Sequence, residues 1–157
     1  MSLEPGAKAP DFDLPTDSGA NASLGALNGK TVVLYFYPKD DTAGCTSEAQ
    51  AFSEAKAAFD EAGAIVIGVS KDSVASHAKF RAKYGLTVAL ASDPEGKVVE
   101  AYGSWVEKSL YGRKYMGIDR STFLIDGQGV LRRMWRKVKV AGHAQAVLQA
   151  VQDLGRD

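Results

Sequence analysis

The residue best suited to covalent chemistry is Cys45, the one cysteine among 157 residues. It follows an apolar run at 31–37 (TVVLYFY), Pro38 and a polar loop, and it opens a segment with small or apolar residues at 45, 49, 52, 55, 59 and 62. Those spacings of four and three make one helical stripe, ended by Gly63. Thr42 is a good N-cap, so Ala43, Gly44 and Cys45 become the first three helical positions, each with an N–H that lacks an intrahelical acceptor. A sulfur there lies at the positive end of the helix, where the thiolate is stabilised and the neutral thiol is not. Gly44 leaves room for a ligand to approach the backbone. Arg120 precedes an apolar stretch, 121–125, and its cation is placed to reach across the same end of a sheet. Glu48, one turn into the helix, opposes thiol ionisation if it faces the sulfur bare, and fixes the guanidinium fork if it pairs with Arg120. Two bland readings stand beside these: Cys45 shares its stripe with Ala49 and Phe52 and suits an inert core position, and Arg120 suits an ordinary surface charge.

The elements that must position these groups follow from periodicity. The continuous β-branched and aromatic run at 31–37 reads as a strand buried on both faces. One helix is predicted over 45–62, a second buried strand over 64–70 (AIVIGVS), and a helix from a cap at Asp72 or Ser73 through Tyr84. In that helix Val74, Ala78, Phe80 and Tyr84 are the expected inward positions, and Gly85 closes it. A weaker strand at 88–91, a short helix after Pro94, a hairpin of 121–125 and 130–135 around Asp126-Gly127-Gln128-Gly129, and a helix at 143–154 complete the chain. Pro5, Pro10 and Pro15, with glycines between short apolar pieces, suggest a hairpin-like extension over 1–30. The order β-α-β-α-β, hairpin, helix implies an α/β fold with a central mixed β-sheet flanked by helices, the element order of the thioredoxin-like architecture, in a single domain over 1–157.

Composition narrows the function classes. Lysines and arginines number 19, balanced by 19 aspartates and glutamates. No global field therefore favours nucleic acid or an anionic membrane. No apolar stretch approaches the ~20 residues that span a bilayer, and Glu4, Asp11, Asp13 and Asp17 stand where a signal peptide needs an apolar run, so a cytoplasmic protein is expected. A single cysteine excludes an internal disulfide framework and any zinc site of paired cysteines. Arg132, Arg133, Arg136, Lys137 and Lys139 cluster around Trp135, a pattern better explained by an exposed edge strand than by nucleic acid.

The segment Pro38-Lys39-Asp40-Asp41-Thr42-Ala43-Gly44-Cys45 resembles the peroxiredoxin signature of Pro, three residues, Thr, two residues, Cys. Glu48, residues 111–126 (YGRKYMGIDRSTFLID) and residues 138–143 resemble the bacterioferritin comigratory protein, or PrxQ-type, subgroup, and the likeness runs from about residue 4 to 154. It implies a thioredoxin fold, Cys45 as the peroxidatic cysteine, Thr42 as its hydroxyl partner and Arg120 as the active-site arginine, with Pro38, Gly44 and Glu48 supporting the site. It also implies a thiol peroxidase acting on hydrogen peroxide and organic hydroperoxides without metal or flavin. The chain departs from the subgroup at Ala43, where Pro is common, and at Gln50, where many members carry a resolving cysteine. An external thiol is then required: thioredoxin, glutaredoxin or glutathione. A monomer or weak homodimer is expected.

The chemistry explains why more than a thiolate is needed. A free cysteine, with a pKa of about 8.5, is about 3% ionised at neutral pH, so full ionisation raises the reactive fraction only about thirtyfold, or roughly 2 kcal/mol. A preorganised donor to the departing oxygen is worth about 10²–10³ in rate. The Thr42 hydroxyl, the Gly44 and Cys45 N–H groups and Arg120 are the expected donors. Gln50 also bears on conformation. Five helical residues rise about 7.5 Å, beyond the roughly 7 Å that a disulfide spans between Cα atoms, so a resolving cysteine at 50 needs an unwound helix and Gln50 does not. Trp105 and Tyr111 either line the approach to the site or pack on the sheet. Two rivals remain: a cysteine hydrolase, which needs His77 or His143 as base, and a non-catalytic binding or chaperone-like protein of the same fold with an inert buried cysteine. A dithiol oxidoreductase lacks its Cys-x-x-Cys.

Overall fold

The computed structural model describes residues 3–155, so the ends of the expected domain, 1–2 and 156–157, lie outside the described residues. In chain order the elements are β1 (Asp13–Pro15), β2 (Asn21–Ser23), β3 (Thr31–Phe36), α1 (Ala43–Glu54), α2 (Lys56–Glu61), β4 (Ala64–Ser70), α3 (Val74–Tyr84), β5 (Ala89–Ser92), α4 (Lys97–Ala101), β6 (Trp105–Leu110), β7 (Arg113–Ile118), β8 (Ser121–Ile125), β9 (Leu131–Trp135) and α5 (His143–Leu154). Five strands form the central sheet in the order β5-β4-β3-β8-β9. β3 runs parallel to β4 and antiparallel to β8, so the sheet is mixed as the sequence implies.

β3 is buried from Val32 to Phe36 because its alternate residues enter two different cores. Val33, Tyr35 and Tyr37 meet Phe52 and Phe59 from the α1–α2 segment, Phe80 of α3, and Val147 and Val151 of α5. Val32, Leu34 and Phe36 meet Phe12 and Leu14 of the N-terminal extension, Val99 and Tyr102 near α4, and Phe123 and Ile125 of β8. The extension is the expected hairpin, with Asp13 opposite Ser23.

The far end of the sheet, where β3 begins and β8 ends, is closed by two glycines. The Gly29 N–H donates to the Gly127 carbonyl at 2.8 Å. A Cβ on Gly127 would lie 3.1 Å from the Gly29 carbonyl carbon. The turn containing Gly127 is held by Asp126, whose side chain accepts from the Gln128 and Val130 N–H groups at 2.9 and 3.0 Å.

Two expectations are corrected, and one element is added. The helix predicted over 45–62 is two helices, α1 and α2, separated at Ala55 (φ −90, ψ 2). Its apolar stripe is nonetheless continuous, since Cys45, Ala49, Phe52, Ala55 and Phe59 are all buried. Beside the break, Ser53 receives the Thr87 N–H on its hydroxyl at 3.0 Å and the Thr87 hydroxyl on its carbonyl at 3.3 Å. That carbonyl turns towards a neighbour instead of serving only the helical ladder. Second, Ala78 is exposed, and the buried positions of α3 are His77 and Phe80. Residues 105–118, where the sequence predicts no element, hold a hairpin, β6–β7, with Tyr111 and Gly112 both at positive φ in its two-residue turn.

Gly68 of β4 sits opposite Tyr35 of β3. A Cβ there would lie 2.6 Å from the Tyr35 Cζ and 2.7 Å from its hydroxyl, and Tyr35 is stacked on Phe52 with ring centroids 4.7 Å apart. Gly68→Ala is expected to destabilise the protein by about 1–3 kcal/mol through overpacking. Urea unfolding measures this, and an unchanged midpoint would show that the ring moves freely.

Candidate active site

The site lies where β3 ends and α1 begins. Because β8 is antiparallel to β3 and Ser121 pairs with Phe36, the residue before Ser121, Arg120, arrives beside the carboxyl end of β3. Its backbone is held in place by Val138, whose N–H donates to the Arg120 carbonyl at 2.9 Å. The guanidinium then spans two groups on the first turns of α1: Nη2 donates to Cys45 Sγ at 3.3 Å and Nη1 to Glu48 Oε1 at 2.6 Å. The structure therefore pairs Glu48 with Arg120 and does not leave it bare against the sulfur.

Gly44 permits this contact. A Cβ at that position would lie 3.1 Å from Arg120 Nη2. The space that the sequence reading reserves for a ligand is thus occupied by the guanidinium lying over the first turn of the helix.

Thr42 occupies the N-cap position with extended backbone (φ −93, ψ 156), but its side chain makes no capping hydrogen bond. Its hydroxyl donates to the Lys39 carbonyl at 2.9 Å. This corrects the expected capping side chain: the proton is spent on the loop, and the hydroxyl of this exposed residue has only lone pairs left to offer. Cys45 is 1% exposed, so its thiol is screened from bulk water while held against a cation.

Burial sets the electrostatics. Desolvation pushes the Glu48 carboxyl up from its ordinary 4.5 to about 7, against the pull of the Arg120 charge. Its second oxygen, Oε2, has no hydrogen-bond partner among the described residues. Burial lowers the Arg120 proton affinity, and the charges of Glu48 and Cys45 more than reverse this, so the guanidinium stays charged. The Tyr35 phenol, in the wall behind the site, is raised by burial and then by Glu48 and Cys45, which keeps it neutral. From sequence Tyr35 is expected only as part of a buried strand, yet the parity it shares with Tyr37 puts both rings on the face that α1 covers.

The histidines do not serve the sulfur. His77 is fully buried and bonded to Asp40 and to the Ala91 carbonyl. His143, expected to be a capping or surface residue, is buried, and its Nε2 lies 2.8 Å from the Thr122 hydroxyl. Burial and the Arg120 charge push His143 down to about 4, so it is neutral at physiological pH. The Cys–His arrangement of a hydrolase is therefore not assembled. Tyr111 is 97% exposed at the β6–β7 tip, and Trp105 packs under the Lys71 ammonium, which lies 4.4 Å from its ring centroid. Of the basic cluster, Arg133 covers Trp135, and Arg136 donates to the Tyr102 and Gly103 carbonyls. β9 itself is the edge strand that this cluster suggests. Among the described residues no helix is long and apolar enough to cross a membrane.

Glu48 binds its proton more tightly folded than unfolded. Its contribution to stability is therefore present below about pH 4.5 and is lost as pH rises through about 7. Glu48→Gln is expected to remove a fall of roughly 3 kcal/mol across that window. Urea midpoints from pH 4 to 8 check this; an equal slope in the variant would place the titration elsewhere.

Residues 5–134 match the AhpC/TSA family. The chain is 53% identical over 148 residues to a putative peroxiredoxin Bcp of Coxiella burnetii, covering 94% of this chain and 98% of that one. It is 48% identical over 154 residues to peroxiredoxin Bcp of Bacillus subtilis, covering 98% of each. Among solved structures, the bacterioferritin comigratory protein of Xanthomonas campestris superposes with a TM-score of 0.89 at 44% identity over 98% of both chains. A Xylella fastidiosa PrxQ mutant gives 0.92 at 35% identity, also over 98% of both chains. The sheet and its flanking helices are thus the thioredoxin-like fold of these proteins, and the chain belongs to the AhpC/TSA family as a peroxiredoxin of the bacterioferritin comigratory, PrxQ-type subgroup.

Proposed function

We infer that Cys45 is the nucleophile through which this peroxiredoxin, a thiol peroxidase, reduces hydroperoxides. The observation that carries the assignment is the Arg120 Nη2 contact with Cys45 Sγ at 3.3 Å, at the start of a twelve-residue helix. The cation and the helix N-terminus both favour the thiolate over the thiol. The thiolate attacks one peroxide oxygen: an S–O bond forms, the O–O bond breaks, and the sulfur is oxidised by two electrons to a sulfenic acid. The departing oxygen takes a proton and leaves as water or an alcohol. The Xanthomonas campestris relative is described for its alkyl peroxide reduction activity, which supports organic hydroperoxides as substrates.

Each supporting residue takes a distinct part. Arg120 stabilises charge on the oxygens through the transition state, and Glu48 holds its fork in plane. Gly44 lets the fork approach, and the N–H groups of Gly44 and Cys45 add donors. Thr42 acts as an acceptor rather than the donor expected from the sequence: its own proton goes to the Lys39 carbonyl, so its lone pairs receive the O–H of the hydroperoxide. Pro38 ends β3 and starts the loop that presents these groups.

With one cysteine in the chain, the sulfenic acid is resolved by an outside thiol, which displaces water and forms a mixed disulfide. A second thiolate then frees Cys45 and leaves as the oxidised reductant. Thioredoxin, glutaredoxin and glutathione supply such thiols, in a reducing compartment such as the cytoplasm. The working unit is a single thioredoxin-like domain over 1–157, monomeric or weakly dimeric.

Cys45→Ser is expected to abolish peroxide consumption. Arg120→Met should slow sulfenic acid formation, followed by stopped-flow and mass spectrometry, by more than the thirtyfold that ionisation alone allows; a smaller loss would mean that Arg120 acts only on the thiolate. With no resolving cysteine to recruit, α1 has no reason to unwind. Amide exchange in α1 should therefore stay protected when Cys45 is oxidised, and exposure of the helix would contradict an external-thiol cycle without unfolding.

A further inference from the structure

The loop that carries the site is fastened to α3 through two adjacent aspartates. Asp41 has a left-handed backbone (φ 61) and receives the Lys83 ammonium at 2.8 Å and the Tyr84 hydroxyl at 2.5 Å on the surface. Asp40 turns inward. Its Oδ1 accepts from the Tyr37 hydroxyl at 2.6 Å, and its Oδ2 accepts from the Ser76 hydroxyl at 2.8 Å and lies 2.7 Å from His77 Nδ1. The other ring nitrogen of His77, Nε2, lies 2.9 Å from the Ala91 carbonyl. A carbonyl only accepts, so Nε2 carries a proton. Both oxygens of Asp40 receive a hydroxyl donor, and at 2.7 Å a proton must lie between Oδ2 and Nδ1, whichever of the two holds it. The third neighbour of Nδ1, the Tyr37 oxygen at 3.4 Å, has its own proton committed to Asp40.

We propose that the fully buried His77 is a positioning residue for the peroxidase, fixing through Asp40 the loop that presents Thr42 and Cys45. The Asp40–His77 hydrogen bond, with the Ala91 carbonyl on the far side of the ring, ties that loop to α3 and β5. The remaining charged groups nearby agree with it. Asp72 accepts the Asp40 N–H at 2.8 Å, which fixes the loop backbone without touching the ring. Arg81 on α3 is turned away to Asp17 and does not compete for Asp40. Burial pushes the Asp40 carboxyl up, but the hydrogen bonds from His77, Tyr37 and Ser76 bring it below its ordinary value. Removing the ring would leave Asp40 short of one partner in a buried site and loosen the loop.

This inference rests on Cys45 being the nucleophile only for its kinetic arm; its structural arm does not require turnover. In the structural arm, introducing His77→Gln into Cys45→Ser should shift the nitrogen-15 and proton resonances of the Asp40, Asp41 and Thr42 amides and raise their hydrogen-exchange rates. In the kinetic arm, His77→Gln should react with peroxide roughly 10- to 100-fold more slowly at neutral pH, and the pH profile of Cys45 alkylation should move with it, because that loop presents the sulfur to Arg120. If His77→Gln does not fold, Asp40→Asn, which keeps the shape and removes the charge, replaces it with the same expected loss. Loop amides indifferent to the ring, or an unchanged rate and pH profile in the folded variants, would each overturn the proposal.

Discussion

One guanidinium shared between a sulfur and a carboxylate is the constraint around which this molecule is organised. Arg120 reaches Cys45 with one nitrogen and Glu48 with another, and all three side chains lie largely out of water. One positive charge cannot fully compensate two negative ones in a medium of low polarisability, so the two acceptors compete for it. The Glu48 carboxyl shows how incomplete the compensation is, since burial raises its proton affinity even against the pull of Arg120. Once the sulfur becomes a neutral sulfenic acid, the competition ends and Arg120 is left to Glu48 alone. The fork therefore carries information about the oxidation state of the sulfur, because its two bonds are unequal before the reaction and after it.

Holding that fork requires components from distant parts of the chain. β8 must run antiparallel to β3, so that Arg120 enters at the end where α1 starts. α1 must present a residue without a side chain at 44, and it must dock its own apolar stripe firmly enough to stay there. Phe52 does much of the docking, between the stacked Tyr35 ring and the edge of His143. The buried polar groups around the site are mostly matched in pairs, and the unmatched atoms among the described residues are the Tyr35 hydroxyl, the Thr46 hydroxyl and one oxygen of Glu48. All three belong to the wall of α1 and β3 rather than to the far core.

The parts legible from sequence alone are those governed by local rules. The helix start at Thr42, the strand 64–70 and the cap at Ser73 follow from periodicity and from residues that stabilise helix ends, and they stand where expected. Glu48 and Arg120 were readable as a pair because a bare carboxylate beside a reactive sulfur is unfavourable. What escaped the reading depends on contacts distant in sequence. Nothing near His77 announces that Asp40 draws it inward from 37 residues away, and Ala78 was the natural choice for the buried position. The interruption at Ala55 lies beside a contact with Thr87, on another segment. The β6–β7 ribbon exposes most of both its faces, so it lacks the alternation by which strands are recognised.

The two glycines that meet at the opposite end of the sheet, Gly29 and Gly127, never approach the sulfur, yet they determine where it finds its cation. Their contact sets how far β8 slides along β3, and a slip of a single residue would carry Arg120 about 3.4 Å along the strand and turn it to the other face. The remote turn works as a gauge block for the reactive end. Changes of length are best tolerated in the exposed β6–β7 tip, whereas an inserted residue between Asp126 and Val130 would draw Arg120 off the sulfur from the opposite end of the sheet.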